Sequence, residues 1–245
     1  MAATNTKNVT EQVLDLLCGD DDLWTWGGTD AGCYFAFDRG GTGSISCGEN
    51  QHDFFAIELT WLFAAEPVQL DKKTWRCTME MAYSTRIARQ YRNGNPWLKG
   101  EAFEQHLQNP PSPIDAPFPW APLHSPAFLP KTFTITISRG RYIEPWQHFI
   151  KKPYPLFQGE ADRFPPRRYA SKLTFDVSPY PPRGEWAERF AAGLEQSLDF
   201  HRHWEKKEFV RDGIERGEET WAETLDLGWW LSPAVGEAYG RGMRY

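Results

Sequence analysis

Two glutamates sit in the middle of long apolar runs, Glu58 in HDFFAIELTWLF (52–63) and Glu80 in TWRCTMEMAYS (74–84). A carboxylate withdrawn from water has its pKa raised and can serve as an acid or a base. By alternation Arg76 shares a face with Glu80, where a guanidinium can hold an enolate or a substrate carboxylate. His52 opens the first run beside Glu49 and Asn50, a place where an imidazole can take a proton at the mouth of a cavity. Glu58, Glu80 and His52 are therefore the candidate catalytic residues. The opposite face of the same runs carries Trp61, Met81 and Tyr83, which with Arg76 are the candidate substrate-binding residues. A plainer reading makes the charged residues a wet outer face, paired across strands. Both faces of one strand cannot line one lumen, so the alternation forces a choice. The carboxylate face is expected to reach the cavity near a mouth.

Other chemistries lack their residues. HRHWEKKE (201–208) suggests a metal site, but on a helix His201 and His203 point apart, and His201 with Glu205 makes only two ligands. No metal and no cofactor are expected. No G-x-x-x-x-G-K-[ST] or G-x-G-x-x-G leads from a strand into a helix, and no G-x-S-x-G elbow or S-x-x-K occurs. What remains is chemistry that needs a shaped cavity and one or two proton-transfer groups.

These residues must be positioned by strands. In GCYFAFDRGGTGSISCG (32–48), Cys33, Phe35 and Phe37 alternate with polar or small neighbours, as do Gly43, Ile45 and Cys47. Gly40 and Gly41 between them suit a hairpin turn. Strands are predicted at 33–38, 43–47, 53–63, 74–84, 132–138 and 168–177, with a Trp-bearing first strand at 23–27. Val9, Val13, Leu16 and Leu17 predict a short N-terminal helix with Thr10 as a possible cap. Trp186, Phe190, Leu194 and Leu198 recur every four residues and predict a long helix over about 184–216. A short helix is expected at Glu101–Leu107, followed by an ordered Pro-rich strap at 110–130; another Pro/aromatic stretch spans 151–166. With no repeat or clear linker, residues 1–245 are read as a single domain, with a Pro-rich insertion at about 86–130 and a C-terminal helical extension from about 184.

The fold class expected is mainly β: an antiparallel barrel of about eight strands, because closure removes exposed edges. The Trp-bearing first strand, then FAFDRGGTGSI, then FFAIELTW resembles the start of lipocalin-like (calycin) β-barrels over residues 23–84. The resemblance implies a cavity for an apolar small molecule, in a family that includes carriers and cofactor-free cyclases and isomerases of secondary metabolism.

Composition narrows the partners. A formal net charge of −6 disfavours nucleic acid and anionic membranes, and no apolar run reaches the length of a membrane span. Residues 1–10 lack a signal peptide's apolar stretch, and the 4 cysteines have no C-x-x-C spacing, so reduced thiols in a cytoplasmic protein are expected. The leading expectation is a cofactor-free isomerase or cyclase acting on an apolar or aromatic small molecule, with a carboxylate or Tyr moving the proton. A passive carrier and a scaffold docking a protein partner through Pro/Trp-rich segments are the alternatives.

Overall fold

The computed structural model describes residues 8–19, 23–27, 33–49, 52–87, 123–145, 166–188, 191–192, 195 and 202–224. Helix α1 (Val9–Leu17) forms where the spacing predicts it, and buries Val13, Leu16 and Leu17. Its cap is Asn8 and not Thr10: the Asn8 side chain accepts from the Thr10 N–H at 3.2 Å.

Among the described residues nine antiparallel strands follow: β1 (Trp24–Thr25), β2 (Tyr34–Phe37), β3 (Thr42–Glu49), β4 (His52–Phe63), β5 (Val68–Asp71), β6 (Thr74–Ile87), β7 (Lys131–Tyr142), β8 (Tyr169–Phe175) and β9 (Glu208–Gly213). Their order is β4-β3-β2-β1-β9-β8-β7-β6-β5, and β4 also pairs with β6. That extra pairing makes the arrangement ring-like, with β5 continuing along β6 where β4 ends.

Except in β5, which is exposed throughout, the register carries the apolar face of each strand to the same side. Trp24 lies opposite Phe35, Ile45 opposite Ile57, Trp61 opposite Met81, Met79 opposite Phe133, and Leu173 opposite both Ile137 and Phe209. These side chains are all buried and belong to one cluster. Its centre is aromatic: Phe35 meets Phe175, Tyr180 and Phe209 with ring centroids 5.7, 5.6 and 5.0 Å apart. Each such side chain stabilises the fold by about 1.5–3 kcal/mol through burial.

The β2–β3 hairpin turns on one glycine. Gly41 has φ 78°, and a Cβ there would meet the Trp61 carbonyl oxygen at 2.9 Å. At its tip Arg39 pairs with Glu11 and Asp15 of α1, so the helix and the hairpin tip share one end of the ring. Arg139–Arg141, which resembles a tight turn in sequence, instead lies within β7, with a register shift between Arg139 and Tyr142.

The long C-terminal helix is the main correction. Glu188, Ala191, Ala192 and Glu195 are helical, but His203–Glu205 is a 3-10 turn and Glu208–Gly213 is strand β9. The apolar period breaks because Arg211 lies between buried Val210 and Asp212, and β9 is needed to pair β8 with β1. The expected helix at Glu101–Leu107, most of the strap at 110–130 and most of 151–166 lie outside the described residues. Of the strap, Ser125–Phe128 forms a 3-10 turn.

The two ends of the ring are built differently. At one, α1 packs over β1. At the other, the segment after β8 folds across: the Tyr180 hydroxyl donates to the Ser46 carbonyl at 2.8 Å, and the Trp186 indole to the Pro181 carbonyl at 2.7 Å.

Candidate functional site

The outer face of four adjacent strands carries small and polar side chains. β2 supplies Ala36 and, just past its end, Asp38; β3 supplies Thr42 and Ser44; β4 supplies Glu58 and Thr60; β6 supplies Ser84 and Arg86. With Gly43 and Leu59 they line an open groove of about 680 Å³. That volume is within the range of small-molecule sites.

Glu58 is central. It lies directly opposite Ser44 on β3, and Thr60 lies opposite Thr42. On the other side runs β6, with Leu59 opposite Tyr83 and Ile57 opposite Ile87 across a register shift that spans Ser84 and Arg86. Glu58 is half-buried and Ser44 buried, whereas Thr60 and Arg86 are exposed. The Thr42 hydroxyl donates to the Asp38 carboxylate at 3.0 Å, and the Arg86 N–H donates to the Ser84 hydroxyl at 3.1 Å. The groove thus presents two carboxylates, one guanidinium and several hydroxyls. It can receive a polar small molecule and offer it a proton acceptor and a cation.

Among the candidates whose side chains are described, Glu58 alone lines this groove. Glu80 and Arg76 are exposed on the outer face of β6, opposite Leu62 and Val68 and outside the groove lining. Trp61, Met81 and Tyr83 face the interior, away from Glu58. The Trp61 indole donates to the Thr42 carbonyl at 2.9 Å, and its ring lies edge-on to Phe37 and Phe63 at 5.8 and 5.3 Å. The Tyr83 hydroxyl donates to the Pro179 carbonyl, and burial pushes the phenol well above its usual range. These three residues are packed core. His52 pairs with Glu49 through the backbone at the end of the β3–β4 ladder, and its side chain lies outside the described residues.

A second concentration of polar groups is hidden at the end opposite α1. Cys33 precedes β2, while His203 and Lys206 precede β9, and all three are buried. Lys206 Nζ lies 3.1 Å from Cys33 Sγ, 2.8 Å from His203 Nδ1 and 4.0 Å from the centroid of the Trp26 ring. Cys33 Sγ is 3.5 Å from the same imidazole nitrogen, and Trp186 stacks on His203 at 6.1 Å. Burial, reinforced by the Lys206 ammonium, holds the His203 pKa below its ordinary value, while Cys33 works the other way. Nothing in the spacing signals this cluster, because its members come from opposite ends of the chain. Among the described residues no group of three or more His, Cys, Asp or Glu is placed to hold a metal ion.

Comparison with protein-family models, curated proteins and solved structures finds no match. Among the described residues no helix is long and apolar enough to cross a membrane.

Proposed function

We propose that the ring is a lipocalin-like β-barrel that works outside its packed interior, in the groove around Glu58. There it binds a small molecule bearing hydroxyl or carbonyl groups and, as a cofactor-free isomerase or cyclase, moves a proton through the Glu58 carboxylate. The observation that carries this reading is the placement of Glu58 within a groove of about 680 Å³ that also holds Asp38 and Arg86. Arg86 balances charge that develops on a substrate oxygen, and the hydroxyls of Thr42, Ser44, Thr60 and Ser84 orient the ligand. Holding a flexible substrate close to its reacting geometry supplies the remaining acceleration. The interior argues for this location, since Trp61, Met81 and Tyr83 are occupied with one another and with the core. The free thiols of Cys18, Cys33 and Cys77 suit a reducing compartment such as the cytoplasm.

The test begins with native mass spectrometry of small molecules that co-purify with the protein. Glu58→Gln should then lower turnover of that molecule at least about tenfold, or roughly 1.4 kcal/mol. Arg86→Ala should weaken its binding, and Glu80→Gln should change neither. Binding without conversion by the unaltered protein assigns a carrier instead. Full turnover in folded Glu58→Gln removes the carboxylate from the mechanism.

A further inference from the structure

Three described cysteines are free, but their surroundings differ. Cys77 is buried in the apolar interior, and burial alone pushes its thiol up to about 12. Burial also pushes Cys18 up to about 12, against the opposing effect of Arg211. Both remain protonated and poorly nucleophilic. Cys33 is just as deeply buried, at 1% exposure, yet it has the Lys206 amine 3.1 Å from its sulfur.

The chemistry of that contact follows from charge. Lys206 is 6% exposed, and its nitrogen faces a thiol, an imidazole nitrogen and an indole face. Among the described residues no carboxylate contacts it. A buried ammonium requires a counter-charge, and the Cys33 thiolate is the group in position to provide one. In that state Lys206 donates to Cys33 Sγ and to His203 Nδ1, and the imidazole carries its proton on Nε2. Its third direction is taken by the Trp26 ring, where a cation is attracted to the π face.

We infer that Cys33 and Lys206 are a peroxide-driven cross-linking site, which closes to a sulfur–nitrogen bond. The thiolate attacks one oxygen of hydrogen peroxide; the S–O bond forms, the O–O bond breaks, and the departing hydroxide takes a proton from the Lys206 ammonium and leaves as water. Lys206 is now a neutral amine beside a sulfenic acid. Its lone pair attacks the sulfur, the S–O bond breaks, and the second hydroxide takes a proton from the same nitrogen to leave as water. The sulfur is oxidised by two electrons, one peroxide is reduced to two waters, and the protein loses two hydrogens. Peroxide is the oxidant of choice because a sulfur so deeply buried admits only the smallest reagents. The amine is the natural second reactant, since it already touches the sulfur. The bond would tie the start of β2 to the entry of β9, on either side of β1.

The test uses full-length, reduced protein exposed to graded hydrogen peroxide and followed by intact mass and peptide mapping. The expected product is lighter by two hydrogens, joins the Cys33 peptide to the Lys206 peptide, and reverts with dithiothreitol. Lys206→Arg should stop at a sulfenic acid on Cys33, which dimedone traps once the peroxide-treated protein is unfolded in its presence, and Cys33→Ser should give neither product. Should these variants fail to fold, the map of the unaltered protein decides. Cys33 left reduced, carried to a sulfenic or higher acid without the bridge, joined to another cysteine, or bridged with an oxygen retained would each overturn the assignment.

Discussion

Arg211 and Lys206 are buried cations at opposite ends of the same ring, and each lies over a tryptophan of the first-strand region. Arg211 is 4.5 Å from the Trp24 ring centroid, and Lys206 is 4.0 Å from that of Trp26. Their partners differ. Arg211 donates to the Leu16 and Leu17 carbonyls at 2.5 and 3.1 Å, beneath the C-terminus of α1, and lies 3.3 Å from the Asp212 carboxylate. The Trp24 indole donates to the same Leu17 carbonyl at 3.0 Å. A guanidinium at the C-terminal end of a helix satisfies carbonyls that have no partner within the helix. Lys206 meets a thiol and an imidazole, which can both gain or lose a proton. One end is therefore held chiefly by a guanidinium and backbone carbonyls, which keep a single charge state, the other by groups that can adjust.

That contrast predicts unequal costs. Arg211→Ala should destabilise the protein by roughly 3–5 kcal/mol, because the end of α1 loses the buried guanidinium that holds the Leu16 and Leu17 carbonyls and packs on Trp24. Urea unfolding measures it; a loss near zero would mean that α1 docks through its apolar face alone. Lys206→Met should cost about 1.5 kcal/mol or less, because Cys33 can take up a proton and the methionine replaces the apolar stem. A cost matching that of Arg211→Ala would show that the thiol cannot adjust.

The imidazole gives the smallest and most specific effect. His203 is held neutral chiefly by burial, so its folded pKa lies below the ordinary 6.5. The unfolded chain then binds the extra proton first as pH falls. Stability attributable to this group is complete above 6.5 and declines below it towards the folded pKa, by at most about 1.4 kcal/mol per pH unit. Folded His203→Gln should show a shallower loss of stability below that pH. An unchanged slope would assign the acid sensitivity to other groups.

The strands were legible wherever one face is continuously apolar. β2, β4, β6 and β8 announce themselves through Phe35 and Phe37, Ile57 to Phe63, Trp75 to Tyr83, and Leu173 with Phe175. β9 does not: Phe209 and Val210 are adjacent and both buried, and the next inward position is the charged Arg211. Its alternation is hidden, and the four-residue period upstream suggests a helix that does not continue. β5 offers only VQLD, exposed throughout, and follows Phe63 after a short bend. Among the site residues Glu58 was legible from its strand phase. Arg86 and Asp38 were not, because their role depends on which strands become neighbours. The Cys33–Lys206 contact was equally out of reach, since sequence periodicity reports a face and carries no information on what a distant turn brings to it.

β1 is two residues long, yet it joins β2 on one side to β9 on the other, with Thr25 opposite Val210. Among the described residues, this seam joins the first strand to the last. A ribosome must therefore release the chain through β9 before the pairing can form, and until then β1 and β8 each present an unsatisfied edge. Closing so long a loop has an entropic cost that local hairpins such as β2–β3 do not face, and it slows folding. Early hairpins followed by late sealing is the order of assembly that this topology favours, and the interval before sealing is when a nascent chain most needs protection from its neighbours.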